Sequence, residues 1–484
     1  MHPGRFCSGL CLAGGFVLMM AACRPRAPQL TAQVELTAPW VLDSLQAMPG
    51  VRVVAVEERR ALVRLSERQF LRLSERGYEL ALVVPLSEAP HIPSWYPQRA
   101  QVESRLQALA DSFPHLAARH QIGKASAGHP AIWALKISDN AASEEDEPAA
   151  IFYGGLHADE ALGVMACVHL AEELCARYAT DSSLRSLVDN AEIWVVPLLN
   201  PEGYELVLSR RIGFPWWRKN LRDNNGNGIF EPAHDGVDLN RNFGFNWEAG
   251  GSGDPSSWYY RGPHPFSEWE TAAIESLSVA RRFVVGIGFH SHGRKVLYPW
   301  SNAPEPPDAK LLKETANSLA KSLQASGAHY DVLPLNAQSG QSSVWLYGAL
   351  GTLDFTIELG TEYFPEEPEA EKELRGAVQA AIDLLARLAG PGIRGQVVDA
   401  GTKAPLHAQV SVAGLDNDAI WPRMTDPRTG RFYRLLEPGL YQLLVRAKGH
   451  RPRRLQIRVH EGPAEDVVVE LEAEDSARGS GGAP

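Results

Sequence analysis

The chain has 484 residues, 44% of them hydrophobic and 22% charged, and a formal net charge of −11. This is ordinary globular composition, too long for one hydrophobic core and long enough for about three domains. An acidic chain lacks the basic face that nucleic acid requires, so nucleic acid is excluded as the main partner.

The N-terminus reads as an export signal. Arg5 precedes an apolar stretch from Leu10 to Ala22, the length of a signal-peptide core and too short for a membrane span. It ends in Met20-Ala21-Ala22-Cys23. These residues resemble a bacterial lipobox, which implies a lipid anchor on Cys23 and a place in the cell envelope, periplasmic or at the surface. Ordinary cleavage near Ala22, giving a secreted protein, is the alternative. Of five cysteines, three lie in this segment and the others are Cys167 and Cys175. Eight residues of helix span about 12 Å, whereas a disulfide needs Cα atoms within about 7 Å. Those two therefore cannot pair on a helix.

Residues 24–31 form a polar tether. From 32 to 90 the pattern alternates: strand-like Val34 to Leu36, helix-like Trp40 to Met48, strand-like Val51 to Val56 and Ala61 to Leu65. A second helix spans Glu67 to Arg76, with capping-box spacing at Ser66 and Gln69 and Gly77 after its end. Tyr78 to Val84 closes the unit. The order βαββαβ predicts a small ferredoxin-like α+β domain, either a pro- or accessory domain or a plain stability module.

Residues 94–390 form the large block. Apolar runs at Ala150 to Tyr153, Ile193 to Leu199, Phe283 to Phe289 and Leu353 to Ile357 alternate with helical segments. That pattern predicts an α/β domain with a mixed, mostly parallel sheet covered by helices on both faces. From 391 to 473, short strands at Gly395 to Val398, Gln409 to Val412, Tyr441 to Val445, Gln456 to Val459 and Val467 to Leu471 predict a β-sandwich. Residues 474–484, rich in Gly, Ser and Ala, read as a disordered tail.

Three strand ends carry chemistry. His157 falls in the loop after the first run and Glu160 at the start of the following helix, spanning Ala161 to about Tyr178. Their spacing lets an imidazole and a carboxylate meet one metal ion. By itself, HxxE is common in a chain with 15 histidines, and a Glu at a helix N-terminus is favourable without a metal. His290 ends a second run, and His2Glu is a catalytic zinc set that leaves a position open for water. Glu358 ends a third run. A carboxylate there is costly to bury unless paired, so it is either a structural ion pair or a general base. Sites in open α/β sheets gather outside the carboxyl ends of the strands, and all four residues fall there.

Five motifs in order then resemble the M14 zinc carboxypeptidases over residues 94–390: Asn200-Pro201-Glu202-Gly203-Tyr204, Trp217-Arg218-Lys219-Asn220, Gly236-Val237-Asp238-Leu239-Asn240-Arg241-Asn242-Phe243, Gly288-Phe289-His290-Ser291 and Thr356-Ile357-Glu358-Leu359. The pieces Gly395-Gln396-Val397-Val398-Asp399, Thr429-Gly430-Arg431-Phe432 and Pro438-Gly439-Leu440-Tyr441 resemble the transthyretin-like module that follows some carboxypeptidase domains. The resemblance implies one zinc ion on His157, Glu160 and His290, and Glu358 as general base toward a zinc-activated water. It implies that Arg218 stabilises the oxyanion and that Asn240 and Arg241 clamp the terminal carboxylate of a peptide or protein substrate. A planar guanidinium suits a carboxylate because it offers two hydrogen bonds at once.

Three positions depart from the family. Asn336 stands where a tyrosine often caps the substrate. Ser343 stands at the position that sets side-chain preference, and it is neither acidic nor bulky. Asp159 stands where digestive enzymes carry arginine. Specificity is therefore not implied, and hydrolysis of cell-wall peptides or another unusual amide stays open. A catalytically inactive peptide- or carbohydrate-binding surface protein is the reading from another class, disfavoured because Glu358 and all three ligands are present. The loop Asp223-Asn224-Asn225-Gly226-Asn227-Gly228 has oxygens at alternate positions, Asp223, Asn225 and Asn227, as calcium loops do; such residues also make ordinary turns.

Overall fold

The computed structural model describes residues 29–474, apart from 37, 58–59, 67–68, 71, 74–75, 77, 79, 83–90, 210–215, 302–303, 325–326 and 337–338. The expected signal, lipobox and most of the tether lie outside the described residues, as do half of the expected second N-terminal helix and the tail from 475; of that helix, Gln69, Phe70, Arg72 and Leu73 are described and are helical. The chain divides into two compact units, up to Val83 and from Val84 onward.

In the first unit, β1 (Gln29–Glu35), β2 (Arg52–Glu57), β3 (Arg60–Ser66) and β4 (Leu80–Leu82) form one sheet in the order β2-β3-β1-β4. Every pairing is antiparallel. Alternating Ala32, Val34, Ala61, Val63 and Leu65 turn one face inward onto Val41 and Leu45 of the helix Pro39–Ala47. This is the strand order of a ferredoxin-like unit. Among the described residues, Ser66 N–H donates to Gln69 Oε1 at 2.9 Å, half of the expected capping box.

The second unit is built on eight strands: β5 (Ala117–Lys124), β6 (Ala131–Ile137), β7 (Ala149–Tyr153), β8 (Glu192–Val196), β9 (Val285–His290), β10 (Lys295–Tyr298), β11 (Asp331–Pro334) and β12 (Leu353–Glu358). Their order is β11-β10-β12-β9-β7-β8-β6-β5. The four central strands run parallel, and antiparallel pairings join them to the flanks. The α/β class and mixed sheet are as the sequence predicts. β7, β8 and β9 are buried along their whole length because helices cover both faces.

The helix Ala161–Arg177 is apolar nearly all round and packs against that sheet. Its approach depends on two glycines. A Cβ at Gly163 would strike the Phe289 carbonyl of β9, and one at Gly154 would strike the Gly163 carbonyl. Without side chains, the helix start lies directly on the ends of β7 and β9. Cys167 and Cys175 on this helix are free and buried.

The C-terminal part packs two three-stranded sheets face to face. One is β15 (Arg431–Leu435), β13 (Gly392–Asp399) and β18 (Glu465–Leu471); the other is β14 (Ala408–Val412), β16 (Gly439–Ala447) and β17 (Arg453–Val459). Val397, Val410, Leu443, Val445 and Val469 are among the side chains that fill the space between them. This module also touches the segment after the helix Ser342–Trp345. Arg423 Nη1 donates to the Tyr347 carbonyl at 2.6 Å and the Gly348 carbonyl at 3.2 Å, and Trp421 N–H donates to Gly348 at 2.8 Å. No helix among the described residues is long and apolar enough to cross a membrane.

Candidate active site

The site forms where β7, β9 and β12 end. In the parallel register His290 pairs with Glu358 and Gly288 with both Thr356 and Tyr153. The loop after β7 brings in His157, and Glu160 stands immediately before the helix Ala161–Arg177. His157 Nδ1 lies 2.7 Å from Glu160 Oε1, and His290 Nδ1 lies 2.8 Å from Glu160 Oε2. The two Nδ1 atoms are 3.1 Å apart. Atoms from all three residues fall within 4.8 Å of one another, and all three are buried.

Buried imidazoles crowded round one carboxylate make a site for a cation. Burial and the Arg218 charge both push the His157 imidazole down, yet Glu160 and Asp238 outweigh them and hold it at about 9. Burial pushes the Glu160 carboxyl up, and the two imidazoles overcome it to hold the group far below the usual range. The donor set of two imidazoles and a carboxylate is that of catalytic zinc sites, so the residues fit the expected metal. The other ring nitrogen of His157 faces Asp238 Oδ1 at 3.3 Å. An imidazole whose far nitrogen meets a carboxylate is fixed in tautomer and orientation, a standard device behind metal ligands.

Asp238 continues the network. Its Oδ2 accepts from Arg218 Nε at 3.1 Å and Nη2 at 2.9 Å, and its Oδ1 accepts the Asn240 backbone N–H at 3.0 Å. Burial lowers the Arg218 guanidinium while Asp238 raises it; the outcome is well above its ordinary value. Arg241 stands on the same turn, where burial pulls its guanidinium down. The ring of Tyr259 lies 5.4 Å from both guanidinium carbons. Asn240 Oδ1 accepts the Ser342 N–H at 2.9 Å. The loop at Ser339 and Gly340 lies against this turn: Gly340 sits at φ +60°, and a Cβ there would meet the Arg241 carbonyl.

Glu358 is half-buried at the end of β12. Burial, then the nearby Glu160 charge, raise its carboxyl above the ordinary range, the direction a general base at neutral pH requires. Ser343 is fully buried, with Oγ 2.8 Å from Thr356 Oγ1. Asn336 is exposed on the loop that follows β11. Asp159 is buried beside the cluster and pushed up by burial and by Glu160.

Two participants carry no assigned role in the sequence reading. Asp238 stands inside the Gly236–Phe243 motif, and its position two residues before Asn240 was the available signal. Tyr153 has no signal, because it reads as one more apolar strand residue. Its hydroxyl is 2.9 Å from both Asp354 Oδ1 and Ser342 Oγ.

Calcium finds no support in the loop that holds Asp223, Asn225 and Asn227. The Asp223 carboxylate accepts the Gly226 and Gly228 N–H groups, each at 2.7 Å, and the Asn225 and Asn227 amides donate to Glu231 at 2.8 and 2.7 Å. The side chains that would hold an ion instead close the turn on itself.

The model of the zinc carboxypeptidase family matches residues 102–380, and that of the carboxypeptidase regulatory-like domain matches 392–472. The human carboxypeptidase N catalytic chain is 28% identical over 403 residues, covering 75% of this chain and 82% of that one. Mouse carboxypeptidase A4 is 28% identical over 274 residues, covering 55% of this chain and 62% of its own length. The crystal structure of carboxypeptidase A from Helicoverpa armigera superposes with a TM-score of 0.55 at 22% identity, covering 75% of this chain and 97% of that one. Thrombin-activatable fibrinolysis inhibitor gives the same TM-score of 0.55 at 18% identity, covering 74% and 98%. With its family model spanning more than half its length, this chain belongs to the zinc carboxypeptidases and is a metallocarboxypeptidase hydrolase by descent.

Proposed function

We propose that the chain removes the C-terminal residue of peptides or proteins at the ends of β7, β9 and β12, with zinc held by His157, Glu160 and His290. The observation that carries this is the convergence of these three buried side chains within 4.8 Å beside Glu358, which is paired in register with His290. Zinc, when bound, supplies Lewis acidity and a lowered water pKa.

The chain's own residues supply the rest. Glu358 takes a proton from the attacking water and delivers it to the leaving nitrogen, a task suited to a carboxylate raised by burial. Arg218, held in place by Asp238, stabilises negative charge as it develops on the scissile carbonyl oxygen. Arg241 and Asn240 receive the substrate's terminal carboxylate, which fixes the cleavage point one residue in. Asn336 and Ser343 contact the terminal residue. The middle block, residues 94–390, is the catalytic domain; 32–90 serves as an accessory α+β domain and 391–473 as the β-sandwich.

Export and a lipid anchor on Cys23 are proposed from Met20-Ala21-Ala22-Cys23 alone. In a bacterial host, wild type should partition into detergent and Cys23→Ser into the aqueous phase; equal partitioning of the two would refute the anchor.

The catalytic reading is tested with the full chain, a mixed library of peptides with free C-termini, and mass spectrometry. Loss of single C-terminal residues is expected, abolished by a chelator and by Glu358→Gln. A zinc-loaded protein that trims nothing would overturn the reading and leave cell-wall peptides or a binding role.

A further inference from the structure

A cavity of about 70 Å³ lies where the β-sandwich meets the α/β block, at the far end of the sheet from the catalytic residues. Leu353, the first residue of β12, stands in its wall, whereas Glu358 ends that strand. The wall also holds four arginines and a single acid: Arg282 and Asp308 from the α/β block, and Arg423, Arg431 and Arg434 from the β-sandwich. The hydrolytic chemistry uses none of them.

Two of these guanidinium groups are matched by carboxylates. Arg434 pairs with Asp416 at 2.6 Å and Asp308 at 3.4 Å, and Arg431 pairs with Asp146 and, at 3.5 Å, with Asp466. The other two are not so matched. Arg282 Nε and Arg423 Nη2 are buried with no hydrogen-bond partner among the described residues. Burial pulls both groups below their ordinary value. Asp426, the carboxylate that acts on Arg282, is already held by Arg428 at 3.2 Å. Asp308 and Asp416, which act on Arg423, are already taken by Arg434. Arg423 is also fixed in place: its Nη1 bonds the carbonyls of Tyr347 and Gly348, and a Cβ on Gly351, at φ +90°, would stand 3.1 Å from its Nε. The C-terminal end of the helix Trp269–Arg281 suits a cation beside it. That accounts for the placing of Arg282, but not for a second uncompensated guanidinium in the same wall. A buried charge without a counter-charge is costly.

We propose that this cavity binds one free oxyanion of sulfate or phosphate size, held by Arg282 from the α/β block and Arg423 from the β-sandwich. A guanidinium suits such an anion because its planar fork offers paired N–H donors to two oxygens. One water needs about 10–15 Å³ of such space, so the cavity has room for several waters or for one small oxyanion. The anion supplies the counter-charge that the two arginines lack and joins one domain to the other. Its binding therefore stabilises their contact by mass action. The inference stands apart from the carboxypeptidase reading.

The test titrates sodium sulfate into the zinc-loaded full chain by calorimetry, with chloride holding the ionic strength constant. Wild type should bind sulfate saturably, and Arg282→Gln should weaken that binding by about tenfold or more, the effect of losing a charged donor. Arg241→Ala is the control for an anion seated on the catalytic arginines, and it should retain the binding that Arg282→Gln loses. Thermal unfolding verifies that each variant is folded. If Arg282→Gln does not fold, wild-type crystals soaked in selenate should show an anomalous selenium peak between Arg282 and Arg423. Absence of saturable binding, equal affinity in Arg282→Gln, loss of binding in Arg241→Ala alone, or a cavity with no selenium peak would overturn the assignment.

Discussion

Asp238 touches both halves of the site, His157 through one oxygen and Arg218 through the other. Burial raises its carboxyl, but Arg218 and Arg241 hold it far below the carboxylate range. Asp238→Asn should therefore loosen His157 and leave the Arg218 charge short of its partner. The expected result is a loss of about 10- to 100-fold in zinc affinity, the usual effect of removing a carboxylate behind a metal-bound imidazole, read by competition with a chelator. Unaltered zinc affinity would show that Asp238 serves Arg218 alone. Glu358→Gln probes a different step: kcat should fall about 10²- to 10⁴-fold while zinc stoichiometry holds. Loss of zinc in that variant would mean that Glu358 is a ligand. At this scale the sequence is most legible where chemistry forces a residue type: His157, Glu160, His290, Arg218 and Glu358 all stand in motifs. Ser343 was harder to place, because a small residue in a short buried helix looks the same whether it serves packing or substrate.

Between elements, the closest approaches are made by glycines. Gly163 lets the helix that begins beside Glu160 rest on the end of β9, which delivers His290. Gly163→Ala would push the two apart. Overpacking of this kind costs about 1–3 kcal/mol, and zinc affinity should fall with it; a variant that matches wild type in both would show that the helix start yields without disturbing the ligands. Arg423 is the reciprocal case on the β-sandwich, donating to the carbonyls of Tyr347 and Gly348 just after the helix that carries Ser342 and Ser343. Arg423→Ala removes a charged donor from both carbonyls, which keep the Gly351 and Trp421 N–H groups; the expected loss is about 1.5–3 kcal/mol, the worth of hydrogen bonds from a charged group, visible as a lower thermal midpoint. The runs behind β7, β8, β9 and β12 were legible because a strand buried on both faces must be apolar throughout. β5 and β11 were not: Ala117–Lys124 and Asp331–Pro334 are half-exposed or edge strands with polar residues on the open side. β15, Arg431–Leu435, was seen only as a motif fragment because arginines interrupt its short apolar pattern.

Across the whole molecule, ionisable groups in the second unit tie stability to pH. Glu270 is fully buried, and burial, opposed by Ser126 and helped by Glu268, raises its carboxyl from 4.5 to about 7. The folded chain therefore holds a proton that the unfolded chain has lost between those values. Its contribution is complete below pH 4.5 and disappears as pH rises through about 7. Glu270→Gln cannot titrate, so wild type should lose stability relative to this variant between pH 5 and pH 8 in urea unfolding. A constant difference would mean that Glu270 is ionised throughout. The broad architecture, an α+β unit, an α/β block and a β-sandwich, was readable from changes in hydrophobic period along the chain. The gathering of His157, Glu160, His290 and Glu358 at the ends of three apolar strands was readable as well, but the sheet order β12-β9-β7 that makes those ends adjacent was not, because no local pattern encodes it.

The most direct test of the central claim uses two peptides of one sequence, one with a free C-terminal carboxylate and one amidated, incubated with the zinc-loaded full chain and followed by mass spectrometry. A site built on Arg241 and Asn240 beside Glu358 predicts loss of one residue from the free-acid peptide, abolished by chelation, with the amidated peptide left intact. Equal trimming of both peptides, or cleavage at internal bonds, would contradict the account.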